Sequence, residues 1–126
     1  MRPRATILVV DDDEQSTDMM QQSLTMLNYT GATCNDPLEA LNLFASMPER
    51  FDVVIVDELM PAMKGTDLTI RLLQIKDDLP VILLTGHGDA VPIDAIRAAG
   101  VRTVLAKPVM KEELVAALDK VLPKRR

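Results

Sequence analysis

Four consecutive aliphatic residues, Val53-Val-Ile-Val56, stop at a carboxylate, Asp57, and Pro61 follows four positions later. A run this short, β-branched and apolar reads as a strand buried on both faces, as in a parallel sheet covered by helices. Asp57 then marks where the strand leaves the sheet, at the carboxyl edge where open α/β sheets bind their ligands. Taken alone, such an Asp reads most simply as a turn former or cap. The groups that end the other strands decide the matter.

The same unit recurs along the chain. Thr6–Val10 is an apolar run ending in Asp11-Asp12-Asp13-Glu14, Tyr29–Cys34 is a short, weak strand, Val81–Thr85 ends in a hydroxyl, and Val101–Ala106 ends in Lys107-Pro108. Helical periodicity fills the gaps. Between Glu14 and Asn28, Met20, Leu24 and Leu27 form one stripe, with Met19 and Met26 on its flank as core margin or as soft partner-contact surface. Asp36-Pro37 starts a second helix that turns Leu38, Leu41 and Phe44 inward and ends before Pro48. Gly65 supplies permissive backbone ahead of a helix with Leu68, Leu72 and Ile75 on one face. A short helix covers Ile93 to Ala99, and the last, Lys111 to Val121, turns Leu114, Ala117, Leu118 and Val121 inward. Strand then helix, five times over, predicts a doubly wound α/β sheet whose five strands are parallel through right-handed crossovers.

Composition agrees. With 48% apolar residues but only 2% aromatic, the core must be aliphatic, which suits a helix-covered parallel sheet better than a sandwich. The 126 residues read as one domain over 1–126, without linker or low-complexity segment. A net charge of −5 argues against direct binding to nucleic acid, and the basic ends (Arg2, Arg4 and 124–126) read as solvated tails. Cys34 is a lone cysteine, so it reads as a small buried thiol. The apolar run Ile7–Val10 is too short for a signal peptide or a membrane span, and the expected location is cytoplasmic, away from membranes.

At the carboxyl ends of the strands stand Asp11-Asp12, Asp57, Thr85 and Lys107. Carboxylates so clustered call for a hard divalent cation such as Mg²⁺, or Mn²⁺ in its place. Asp57 can then attack phosphorus as a nucleophile and become an aspartyl phosphate, with the new charge met by the metal, by Lys107 and by a hydrogen bond from Thr85. His87, with no Cys or second His nearby, reads as a loop side chain near the site rather than a metal ligand or base.

Ile7-Leu-Val-Val-Asp-Asp12, Asp57-x-x-Met-Pro61, Val81-Ile-Leu-Leu-Thr85 and Lys107-Pro108 together resemble the receiver domains of two-component response regulators, over essentially the whole chain. The segment Val81–Val109 is most similar to receivers associated with hybrid histidine kinases. The resemblance implies a flavodoxin-like (βα)5 fold with strand order 2-1-3-4-5, and Asp57 as phosphoacceptor. It further implies Asp11, Asp12, Asp57 and the Leu59 carbonyl as metal ligands, Thr85 as switch hydroxyl, Lys107 as the phosphate-facing cation, and a cis peptide before Pro108. The donor would be a histidine kinase or histidine phosphotransfer domain resting near Gln15, Ser16, Met19 and Gln22. Output would run through the 91–121 face, with Gly86, His87, Val104 and Pro108 in the switch region. Such a module is no enzyme beyond its own phosphorylation and dephosphorylation. It is expected to be a monomer, with dimerisation on phosphorylation left open, acting through protein contacts or onward phosphate transfer.

Three departures stand out. Val104 replaces the aromatic that the family often uses as a rotating switch, so any signal must use a smaller rearrangement of the Val91–Ala99 helix and its loop. Leu59 and His87 occupy positions that tune water access in the family, which bears on phosphoaspartate lifetime. The acid run also offers Asp12 and Asp13 as the metal pair, although Asp11 directly abuts the strand and Asp11 with Asp12 is preferred.

Other classes fit less well. Asp11-x-Asp13 resembles the opening of haloacid-dehalogenase-type phosphohydrolases, but Gln15 stands where Thr or Val is usual, no acid pair follows Lys107, and Asp57 would have no role. A receiver fold serving only as a scaffold usually lacks one of the essential groups, and all are present here. A flavin-binding protein needs a Gly- and Ser-rich phosphate cradle after the first strand, where this chain is acidic.

Overall fold

The computed structural model describes residues 4–86 and 92–123. Five strands, β1 (Thr6–Val10), β2 (Thr30–Cys34), β3 (Val53–Asp57), β4 (Val81–Thr85) and β5 (Thr103–Ala106), form one parallel sheet in the order β2-β1-β3-β4-β5. Helices α1 (Glu14–Met26), α2 (Pro37–Ser46), α3 (Gly65–Ile75), α4 (Ile93–Ala99) and α5 (Lys111–Val121) connect and follow them. This is the doubly wound arrangement that the alternation of apolar runs anticipates, in the flavodoxin-like strand order that the resemblance implies.

Strand alternation sorts the core into two layers. Leu8, Val10, Val54, Val56, Val81 and Leu83 face Phe44, Leu68 and Leu72 of α2 and α3. Ile7, Val9, Val53, Ile55, Ile82 and Leu84 face Leu24 of α1 and Leu114 and Leu118 of α5. Both faces of β3 are therefore covered, which is why the sequence there is continuously apolar rather than alternating. Phe44 and Phe51 stack with ring centroids 6.0 Å apart and supply most of the aromatic mass of the first layer.

Several local expectations are corrected. The buried face of α2 is Pro37, Ala40 and Phe44, while Leu38 is 49% exposed and Leu41 packs only at the margin, so the stripe runs one residue earlier than the leucines suggested. Ile75 ends α3 and is 41% exposed rather than turned inward. Helix α1 stops at Met26 because Asn28 takes a left-handed φ of 68°, and Tyr29 enters the core before β2 begins. Strand β5 begins at Thr103, two residues later than expected, because Gly100 closes α4 at φ 95° and Val101 and Arg102 complete the turn. Met19 and Met26 are both exposed, which settles them as surface rather than core margin. Arg4 is no free tail: its guanidinium lies 4.9 Å over the Tyr29 ring and 3.6 Å from Asp119 Oδ1. Residues 1–3, 124–126 and 87–91, with His87 and Val91, lie outside the described residues.

Candidate functional site

Register builds the site. Val10 pairs with Val56, so Asp11 and Asp57 leave adjacent strands at one level. Asp57 pairs with Leu84 and Thr85 with Ala106, while the Lys107 N–H donates to the Thr85 carbonyl at 2.8 Å. Four neighbouring strands thus deliver Asp11, Asp57, Thr85 and Lys107 to the same sheet edge. The peptide between Lys107 and Pro108 is cis.

The Lys107 Nζ lies 2.7 Å from Asp57 Oδ1 and 3.2 Å from Asp11 Oδ2. Asp11 and Asp57 are only 3% and 5% exposed, whereas Asp12 sits in solvent at the mouth. One carboxylate oxygen from each of Asp11, Asp12 and Asp57 falls within 4.8 Å of the others. Burial pushes the Asp57 carboxyl up from its ordinary value and Asp11 and Asp12 add to the rise, against the opposing pull of Lys107. Burial by itself would lower the Lys107 ammonium, but Asp57 and Asp11 together outweigh it and raise it, so the cation persists. Three carboxylates facing one ammonium leave an excess of negative charge on hard oxygen donors. That donor set fits a small hard divalent ion.

Asp13 is occupied elsewhere. Its carboxylate caps α1, accepting from the Gln15 N–H at 3.1 Å and from Ser16 Oγ at 2.9 Å. Of the two acid pairs, the cluster therefore contains Asp11 and Asp12. Leu59 has a side chain 55% exposed, Thr85 and Gly86 are half-buried, and Val104 is 43% exposed on β5. Gln15, Met19 and Gln22 are exposed and Ser16 half-buried on α1, beside a groove of about 440 Å³ between α1 and α5 that includes Ser16, Met19, Met20, Lys107, Pro108 and Leu114.

Residues the motifs did not mark also build the edge. Asn35 Nδ2 donates to the Asp11 carbonyl at 2.9 Å and to Thr17 Oγ1 at 3.0 Å, fixing the turn after β1. An amide immediately after the β2 run was its signal, visible only once β2 is known to lie beside β1. Glu58 is 3% exposed, and its carboxylate accepts from the Thr66 N–H and hydroxyl. Gly65 starts α3 in helical backbone, so its role is spatial rather than conformational: a Cβ there would meet the Asp57 carbonyl oxygen at 2.5 Å and Leu83 Cδ1 at 2.8 Å.

Comparison with known proteins gives a consistent result. The family model described as response regulator receiver domain matches residues 7–119. Response regulator MprA of Mycobacterium ulcerans (strain Agy99) is 35% identical over 116 residues, covering 92% of this chain and 49% of that protein. The chain spans about half the length of the curated relatives it matches. Among solved structures, a response regulator receiver domain protein from Clostridium thermocellum superposes with TM-score 0.88 at 31% identity, covering 93% of each chain. The signal receiver domain of an HD domain-containing protein from Pseudomonas fluorescens Pf-5 does so with TM-score 0.83 at 35% identity, covering 96% of this chain and 94% of that one.

Proposed function

Because the chain belongs to the response regulator receiver domain family, we propose that Asp57 accepts a phosphoryl group from a phosphohistidine on a histidine kinase or histidine phosphotransfer domain, and that the new charge alters contacts with other proteins. The observation that carries this reading is a buried carboxylate at a strand end held 2.7 Å from an ammonium, with two more carboxylates beside it. In the transfer, an Asp57 oxygen forms a bond to phosphorus as the donor's N–P bond breaks, and the electron pair leaves with the imidazole nitrogen, which takes a proton from solvent. A carboxylate ionised at neutral pH needs no general base.

Lys107 turns from Asp57 to a phosphoryl oxygen, and the Thr85 hydroxyl donates to another. Asp11, Asp12, Asp57 and the Leu59 carbonyl would hold Mg²⁺ or Mn²⁺, which would supply charge neutralisation for the transferred group. The donor docks over Gln15, Ser16, Met19 and Gln22, and the response passes through Thr85, Gly86, His87, Val104 and Pro108. Chemistry of its own is limited to its phosphorylation and dephosphorylation, in the cytoplasm.

Intact mass after incubation with acetyl phosphate tests the reading. We expect a gain of one phosphoryl group that depends on Mg²⁺ and is absent in Asp57→Asn. With no adduct, and no change in amide spectra on adding beryllofluoride with Mg²⁺, the chain would be a scaffold with a receiver fold.

A further inference from the structure

Glu58 is a charged side chain in a place where charge is costly. It is 3% exposed, directly follows the buried Asp57, and precedes Leu59. All of its polar groups are engaged. Its N–H donates to the Leu84 carbonyl at 3.0 Å, and its own carbonyl accepts from the Gly65 N–H at 3.0 Å. Its Oε1 accepts from the Thr66 N–H at 2.8 Å and its Oε2 from Thr66 Oγ1 at 3.2 Å.

Those bonds close a ring. The loop from Glu58 to Lys64 leaves the sheet beside Leu84, one residue before Thr85, and is pinned at its far end to the first two residues of α3. Lys64, at the cap position of α3, supplies no side-chain hydrogen bond to the helix. Glu58 therefore takes over the capping from across the loop, with its negative charge set against the positive end of the helix. An acid at this position has no part in the core and does not belong to the acid cluster of Asp11, Asp12 and Asp57.

We propose that Glu58 is a positioning residue for the cation site: its clamp on Thr66 fixes the 58–65 loop and so fixes where the Leu59 carbonyl is presented. This rests on the proposed function, in which that carbonyl is a metal ligand. Groups that orient ligands in this way commonly change metal affinity by about tenfold or more when removed.

The test is Mg²⁺ binding by calorimetry on the unphosphorylated chain, beside urea unfolding of the same proteins. Glu58→Ala removes the clamp, Glu58→Asp keeps the charge but falls a methylene short, and Glu58→Gln keeps an acceptor for the Thr66 N–H. We expect roughly tenfold weaker Mg²⁺ binding for Glu58→Asp, and for Glu58→Ala if it folds, with affinity restored close to wild type in Glu58→Gln. A fall in urea midpoint with unchanged Mg²⁺ affinity would mean a purely structural cap and overturn the proposal. Equal weakening in Glu58→Gln would overturn it too, since charge and not the clamp would then matter. If the wild-type chain bound no Mg²⁺, the proposed function would fail first and this inference with it.

Discussion

Asp57 and Lys107 meet at 2.7 Å although their strands do not pair: β3 and β5 lie on either side of β4, and the lysine reaches across the end of that strand. The contact therefore spans the end of β4, where Thr85 sits. Under the proposed function, a phosphoryl group on Asp57 would meet the ammonium at the end of that strand.

Removing the Asp57 charge should stabilise the metal-free protein. Its carboxyl titrates above the usual 3.8 because burial and the neighbouring acids disfavour the anion. The folded state therefore holds its proton to higher pH than the unfolded chain, and stability falls as pH rises from the ordinary carboxylate value through the raised one. Above that window the penalty is complete. Asp57→Asn leaves Asp11 and Lys107 as a balanced pair and should gain about 1 kcal/mol at neutral pH, a Tm rise of roughly 4 °C, and the gain should vanish as pH falls to the ordinary carboxylate value. Thermal melts between pH 4 and 8 without divalent cations decide it, and a lower Tm for the variant would contradict it.

Divalent cation should act as a stabilising ligand. At a hundred times the dissociation constant, Mg²⁺ should add about 2.7 kcal/mol to unfolding, and EDTA should remove it. Asp11→Asn and Asp12→Asn should each abolish most of the gain, whereas Asp13→Asn, which retains a capping oxygen, should keep it. Melts of the four proteins with and without Mg²⁺ are the check.

Lys107→Ala strands two buried carboxylates. The expected cost is about 3 kcal/mol in the absence of metal, and much less in its presence, because the cation replaces the lost charge. Urea unfolding in EDTA and in Mg²⁺ would reveal whether the two costs differ.

Gly65→Ala places a methyl 2.5 Å from the Asp57 carbonyl oxygen, on backbone that cannot turn aside. A loss of about 2 kcal/mol is expected, together with slower phosphorylation by acetyl phosphate. Wild-type stability in this variant would show that α3 can slide.

Cys34 should be slow to alkylate. Burial, with Glu39 and Asp36 adding to it, raises its thiol pKa and disfavours the reactive thiolate. Iodoacetamide at neutral pH should modify it only on unfolding, so mass increase against urea concentration should follow the unfolding curve.

The sheet and the charged edge were legible because they depend on contiguous runs. Val53–Val56 announces a strand covered on both sides, and each functional group is the next residue after such a run, so no tertiary knowledge is needed to line them up. Helix faces were less legible. In α2, Pro37, Ala40 and Phe44 point inward while Leu38 does not, because a helix buries whichever stripe faces the sheet and a small alanine fits where it must lie close. The roles of Asn35 and Glu58 are not legible in the sequence because their partners, Asp11 and Thr66, become neighbours only through strand pairing and loop closure. At Gly65 the sequence suggests freedom of backbone, whereas the fold needs absence of a side chain.

The aromatic side chains have an experimental consequence. Tyr29 is the single tyrosine, there is no tryptophan, and Tyr29 immediately precedes β2 at the amino edge of the sheet, under Arg4 and at the opposite edge from Asp57. The site is optically silent. Ultraviolet emission from this protein reports on the far end of the molecule, and following events at Asp57 in real time calls for a probe installed at the carboxyl edge.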